Sequence, residues 1–152
     1  NIFVKNKSLE RSVSMKNRSE LREIIMKVLY QSYILGETKL EYNVDDFIKE
    51  QLEVQNDFVS DTVHGVIEHQ KHISEVADRY LEESGWKMKR LNKVDQAIIS
   101  LGIYELLYTE TPSVVAINEA IELSKKYSDE KVTGLINGVL DRIYHSEVSD
   151  AR

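Results

Sequence analysis

The stretch VDQAIISLGIYELLY, Val94 to Tyr108, limits the possible folds more than any other part of the chain. Its apolar residues Val94, Ala97, Ile98, Leu101, Tyr104, Leu107 and Tyr108 leave little of a helix's circumference polar. A helix apolar on so many sides belongs at the centre of a fold. The rest of the chain can surround it only with more helices, because one proline and six glycines in 152 residues leave few places for the turns that many short strands need. The predicted class is all-α. The length suits one domain with a real core, or two small subdomains sharing one.

The apolar period supports this class along the chain. Leu21, Ile24, Ile25, Val28, Leu29 and Leu35 recur at spacings of three and four, predicting a helix from Ser19 with Gly36 as its stop. Asn43 offers a cap, and Asp45 and Asp46 an acidic first turn, to a short helix carrying Phe47, Ile48 and Leu52. Phe58, Thr62, Val63, Val66 and Ile67, then Ile73, Val76, Ala77, Tyr80 and Leu81, keep the period as far as Gly85, as one bent helix or as two. After the central helix, Thr111-Pro112 opens a helix to about Tyr127, with Pro112 at its first position. A last helix from about Glu130 carries Val132, Leu135, Ile136, Val139, Leu140 and Ile143 on one face. Six or seven helices result, in two small packed bundles of about residues 18–84 and 90–146, with a seam at Glu83 to Asn92. Residues 1–17 lack periodicity and are expected to form a flexible basic arm, with some of the residues upstream of Met15 expected to be foreign to the domain.

A net charge of −6 conceals two basic islands. Residues 1–27 carry +4, residues 28–85 carry −9, residues 86–93 carry +4 without a single acid, and residues 94–152 carry −5. Such a protein is not a general nucleic-acid sponge, although each island could hold a few phosphates. No apolar run approaches the roughly 20 residues of a membrane helix, and no secretory signal pattern is present. The expected compartment is the cytoplasm. With no cysteine there is no disulfide, thiolate metal site or Cys nucleophile.

Residues suited to catalysis are not assembled. His64, His69 and His72 are spaced five and three apart and do not share one helical face, and a HExxH motif, a Gly-rich phosphate loop and a GxSxG elbow are all absent. A non-enzymatic role without cofactor or metal is expected. The first helix is more informative. Arg18 and Arg22, at i and i+4, project from one face with Lys16 just upstream, while Leu21, Ile25 and Val28 pack inward. Two readings stand on spacing alone: a phosphate grip, or local pairing of the kind that Glu23 and Lys27 offer at i, i+4.

Three stretches together are similar to the NusB family of transcription antitermination proteins. NRSELREIIMKVLYQ (Asn17 to Gln31) resembles the family's N-terminal arginine motif leading into Ala-Leu-Tyr. RLNKVDQAIISLGIYEL (Arg90 to Leu106) resembles its central segment, and TPSVVAINEAIELSKKYSDEKVTGLINGVLDRI (Thr111 to Ile143) its most specific run, with nine consecutive matches at Val115 to Leu123. The resemblance covers about Met15 to Tyr144. It implies two small helical bundles and no catalysis. It also implies binding of boxA RNA from ribosomal leader transcripts together with the ribosomal protein NusE, within an elongating RNA polymerase complex, to suppress premature termination. On this resemblance Lys16, Arg18, Arg22 and Lys27 are the candidate RNA-binding residues, and Asp95 falls where the family has an acidic residue facing NusE. The state of association is monomer or homodimer.

The chain departs from the pattern at Ser19 and Glu20, where the motif has further arginines, at Gly134-Leu135-Ile136, where the family has Lys-Phe-Val, and at Ser100, usually arginine. Fewer phosphate contacts imply weaker RNA binding by the isolated protein and greater reliance on NusE. RNA cytosine methyltransferases carry a similar N-terminal domain that shares the Asn-Glu-Ala run, so an accessory domain of such an enzyme is the alternative. A protein-interaction module without an RNA role is a third. Because both families share it, the pair Asn118-Glu119 is read as holding the fold, with Asn118 beside an apolar stripe of Ile117, Ala120, Ile121 and Ser124 and Glu122 paired with Lys126.

Overall fold

The computed structural model describes residues 16–148, so most of the expected arm lies outside the described residues. Seven α-helices and two short 3-10 turns make up the described chain, with no strand among these residues. They are α1 (Arg18–Gly36), α2 (Val44–Gln51), α3 (Asp57–Glu68), α4 (Gln70–Leu81), α5 (Lys93–Tyr108), α6 (Ser113–Tyr127) and α7 (Glu130–Glu147). The all-α class is as the apolar period predicts.

Helix α1 begins one residue ahead of the expected start. Asn17 adopts an extended conformation and its side chain accepts the Glu20 backbone N–H at 2.9 Å, while the Glu20 carboxylate reaches back to the Asn17 N–H. This reciprocal capping box satisfies two otherwise orphaned donors. Asn17→Ala should lower stability by about 1 kcal/mol, read as a shift in urea midpoint; an unchanged midpoint would show that the cap contributes nothing. Asn43 caps α2 as expected, accepting from the Asp45 N–H at 3.0 Å.

The long periodic stretch resolves as two helices, α3 and α4, interrupted at His69, whose side chain makes no cap. Pro112 is the residue before α6 rather than its first turn. The stretch Glu83 to Asn92 overlaps the two 3-10 turns, Glu82–Ser84 and Met88–Arg90, and the chain clusters into compact units that meet between Val63 and His64, inside α3. A division there carries no compositional signal, because it depends on which distant residues each half of α3 meets.

In the first unit α1 packs on α2, and Ile25, Val28, Leu29 and Val59 are completely buried. In the second, α5 is surrounded as its sequence demands: α4, α6 and α7 all pack against it, and Ala97, Ile98, Ile99 and Ile103 are completely buried. Ser100, an arginine in the family pattern, is one of its interior residues. It is buried and accepts a hydrogen bond from Gln70 Nε2 at 3.2 Å. A small hydroxyl suits this interior place, where a guanidinium would have to be desolvated.

Within α6 the buried stripe is Ala116, Ala120, Leu123 and Ser124, with Ile117 and Ile121 half-buried at its edges. Asn118, beside the half-buried Ile117, is itself exposed. Glu122 pairs with Lys125 at 3.3 Å rather than with Lys126, whose ammonium lies over the Tyr127 ring.

Candidate nucleic-acid interface

The face of α1 predicted to carry Arg18 and Arg22 has a floor that the sequence did not reveal. Phe58, in the first turn of α3, lies beneath both guanidiniums, with its ring centroid 3.9 Å from Arg18 Cζ and 5.5 Å from Arg22 Cζ. A guanidinium is delocalised and weakly hydrated, so it stacks on an aromatic face while its N–H fork stays directed outward. Phe58 therefore orders two long side chains that would otherwise lose rotamer entropy on meeting a phosphate.

The two arginines are not equivalent. Arg18 is exposed, but Arg22 retains only 5% of its surface and is engaged within the fold. The expected pair of outward guanidiniums is thus one outward cation with a second behind it. Lys16 lies 4.0 Å from Glu20, and Lys27 4.0 Å from Glu23, both at i, i+4. These surface pairs are weak enough to open when a phosphate competes. Glu20, where the family pattern has a cation, both closes the cap and holds Lys16.

Asp95 occupies quite different surroundings. It sits in the first turn of α5 with 2% of its surface accessible, and the Ser128 hydroxyl donates to its Oδ1. This placement ties α5 to the end of α6; it does not hold a carboxylate out toward a partner. Burial pushes the Asp95 carboxyl above its ordinary value, and Asp129 adds to the rise, while the Ser128 hydrogen bond opposes it. A folded pKa above the unfolded one means that folding favours the protonated acid, so stability falls as pH climbs from the ordinary carboxylate value to the raised one. Asp95→Asn keeps an acceptor for Ser128 and removes this dependence. Denaturant midpoints should shift in the variant's favour between pH 4 and pH 7; a shift in the parent's favour would reverse the assigned cause.

The histidines form no metal-binding group among the described residues. His69 instead stacks on Tyr108 at 4.1 Å between ring centroids, Tyr108 stacks on Tyr104 at 5.6 Å, and His72 meets Tyr108 edge-on with a hydrogen bond between His72 Nδ1 and the phenol. No helix of the described residues is long and apolar enough to cross a membrane.

Comparison with known proteins agrees with the architecture. Residues 19–145 match the NusB family model. The transcription antitermination protein NusB of Pediococcus pentosaceus is 40% identical over 129 residues, which span 84% of this chain and 96% of that protein. Its counterpart in a Thermoanaerobacter species is 37% identical over 132 residues, spanning 86% and 92%. The solved structure of Thermotoga maritima NusB superposes with a TM-score of 0.76 at 29% identity, covering 89% of this chain and 95% of that one. NusB solved in complex with NusE and double-stranded RNA shares the fold, with a TM-score of 0.72 at 24% identity and coverage of 87% and 98%. With a family match across 19–145, this identity over most of the chain and the same helical architecture, the chain belongs to the NusB family.

Proposed function

We propose that this chain is a transcription antitermination factor that binds boxA-type RNA of ribosomal leader transcripts together with NusE, and that it acts within the cytoplasm on elongating RNA polymerase. The observation that carries the RNA part is the Arg18 guanidinium lying on Phe58 at 3.9 Å, exposed at the start of α1. A cation held flat on a ring meets a phosphate with its fork already oriented. Lys16 and Lys27 stand near it along the sequence as weaker, exchangeable contacts, and Arg22 serves as a positioning residue that shares the Phe58 ring. In support, the relatives at 37–40% identity bear the antitermination name, and a solved chain of the same fold is described with NusE and RNA.

Partner binding is assigned to the surface around Asp95 rather than to its carboxylate, which Ser128 engages. The reaction class is none: the protein works by binding. The deciding experiment is co-purification of NusE and a boxA RNA with the parent chain and with Arg18→Ala. Loss of RNA with retention of NusE supports the reading. Capture of neither by the parent would end it.

A further inference from the structure

The second basic island is built as carefully as the first. Trp86 to Lys93 reads WKMKRLNK, with four cations and no acid. Gly85, at φ 74°, turns the chain out of the preceding 3-10 turn in a left-handed conformation that a side chain would strain. Met88 and Leu91 then sink into the fold, each with 5% of its surface left. Two side chains lock the backbone between them: Asp78 Oδ1 accepts the Met88 N–H at 2.7 Å, and Gln96 Nε2 donates to the Leu91 carbonyl at 2.9 Å. The Arg90 N–H closes the turn on the Lys87 carbonyl at 3.0 Å.

Such pins leave Lys87, Lys89 and Arg90 exposed on a fixed turn. None of the three joins an ion pair among the described residues, and the nearest acid upstream, Glu83, faces Arg142 Nε at 3.6 Å. An acidic protein that concentrates unneutralised cations on a fastened turn holds a local positive field that its net charge hides. The half-buried Trp86 stands immediately before them. Cations following a partly exposed tryptophan are the residue types that track a single-stranded backbone and stack a base. The turn is poorly made for a membrane surface, because its apolar side chains Met88 and Leu91 point inward and leave nothing to enter the acyl region.

We propose that Trp86, Lys87, Lys89 and Arg90 form a second contact for single-stranded RNA, a proposal that rests on the reading of the chain as an RNA-binding factor. Each cation would take one backbone phosphate, and the Trp86 indole one base. Trp86 is the sole tryptophan in the chain, so its fluorescence reports on this turn alone when the added RNA, and any NusE used, are followed against a matched blank.

The test titrates a boxA-containing single-stranded RNA into the full chain, with and without NusE, over a salt series. The parent should show Trp86 quenching on binding. Lys87→Ala with Lys89→Ala and Arg90→Ala should flatten the plot of log affinity against log salt by about 2, since each phosphate lost from a single strand lowers the slope by roughly 0.7. Quenching should weaken in the same variant, and Lys87→Arg with Lys89→Arg should restore the parent slope. The proposal fails if the triple variant keeps the parent's slope and quenching while Arg18→Ala loses affinity, a result that leaves the RNA reading standing. It also fails if the triple variant loses NusE but not RNA, which would make the turn a protein contact. A parent that binds no RNA in either condition overturns both readings together.

Discussion

Arg18→Ala should lower RNA affinity about tenfold and reduce the salt slope by about 0.7, the signature of one lost phosphate on a single strand, without moving the thermal midpoint. The residue is exposed, and its contact with Phe58 lies at the solvent edge of the fold. Arg22→Ala should behave differently. With 5% of its surface accessible, Arg22 fills space as well as carrying charge, so its removal should cost roughly 1–2 kcal/mol of stability in addition to weakening RNA binding. The pair separates two accounts of the α1 face. If the arginines serve only to pack α1, both variants lose stability and neither changes the salt slope. If they hold RNA, Arg18→Ala changes the slope alone. Filter binding from low to moderate salt, alongside urea titrations, measures both quantities. Because the chain has Ser19 and Glu20 where the family pattern carries arginines, the parent's own slope should be shallow without NusE and steepen when NusE is present. Tight, steeply salt-dependent binding by the isolated parent would contradict this.

Gly65→Ala should destabilise the fold by roughly 2 kcal/mol, although alanine is the better helix former by about 1 kcal/mol. A methyl group at Gly65 would stand 2.1 Å from the Tyr104 hydroxyl oxygen and 2.4 Å from Cζ, closer than any side-chain carbon can approach. The ring must move, and it is not free to do so, since Tyr104 stacks on Tyr108, which stacks in turn on His69. Displacing it disrupts a run of aromatic contacts, each contributing about 0.5–1.5 kcal/mol. The expected thermal shift is a fall of roughly 4–8 °C, from about 2–4 °C per kcal/mol at this chain length. A second background makes the cause testable: on Tyr104→Ala the clash is gone, and Gly65→Ala should then stabilise through helix propensity alone. If Gly65→Ala has the same effect in both backgrounds, the ring is not the reason for the glycine.

Local chemistry was the legible part of this fold. The surrounded helix at α5, the cap at Asn43 and the stop at Gly36 each depend on residues within a few positions of one another. The capping box at Asn17 and Glu20 was equally readable, as Asn-x-x-Glu ahead of an apolar run, and starts α1 one residue before the position that the apolar period alone suggests. The break at His69 left no such trace, having neither glycine, proline nor a capping side chain. In the candidate site the i, i+4 spacing placed Arg18 and Arg22 on a common face, but their shared floor is Phe58, about forty positions along the chain by the residue numbers and on another helix. The same holds for Asp95, whose hydrogen-bond donor is Ser128, thirty-three positions on by the residue numbers, at the end of α6. Spacing within one helix says which side chains are neighbours there; it does not say what the fold brings to cover them.

Glu20 has a consequence for how this family can diverge. One carboxylate serves the start of α1 and restrains Lys16, at a place where the family pattern carries a positive side chain. Glutamate and lysine codons differ by a single base, so a lineage can exchange a firmer helix start for a stickier RNA face in one mutational step, without disturbing a core residue. On the proposed reading, a single base change at this codon would therefore move helix stability and RNA affinity in opposite directions.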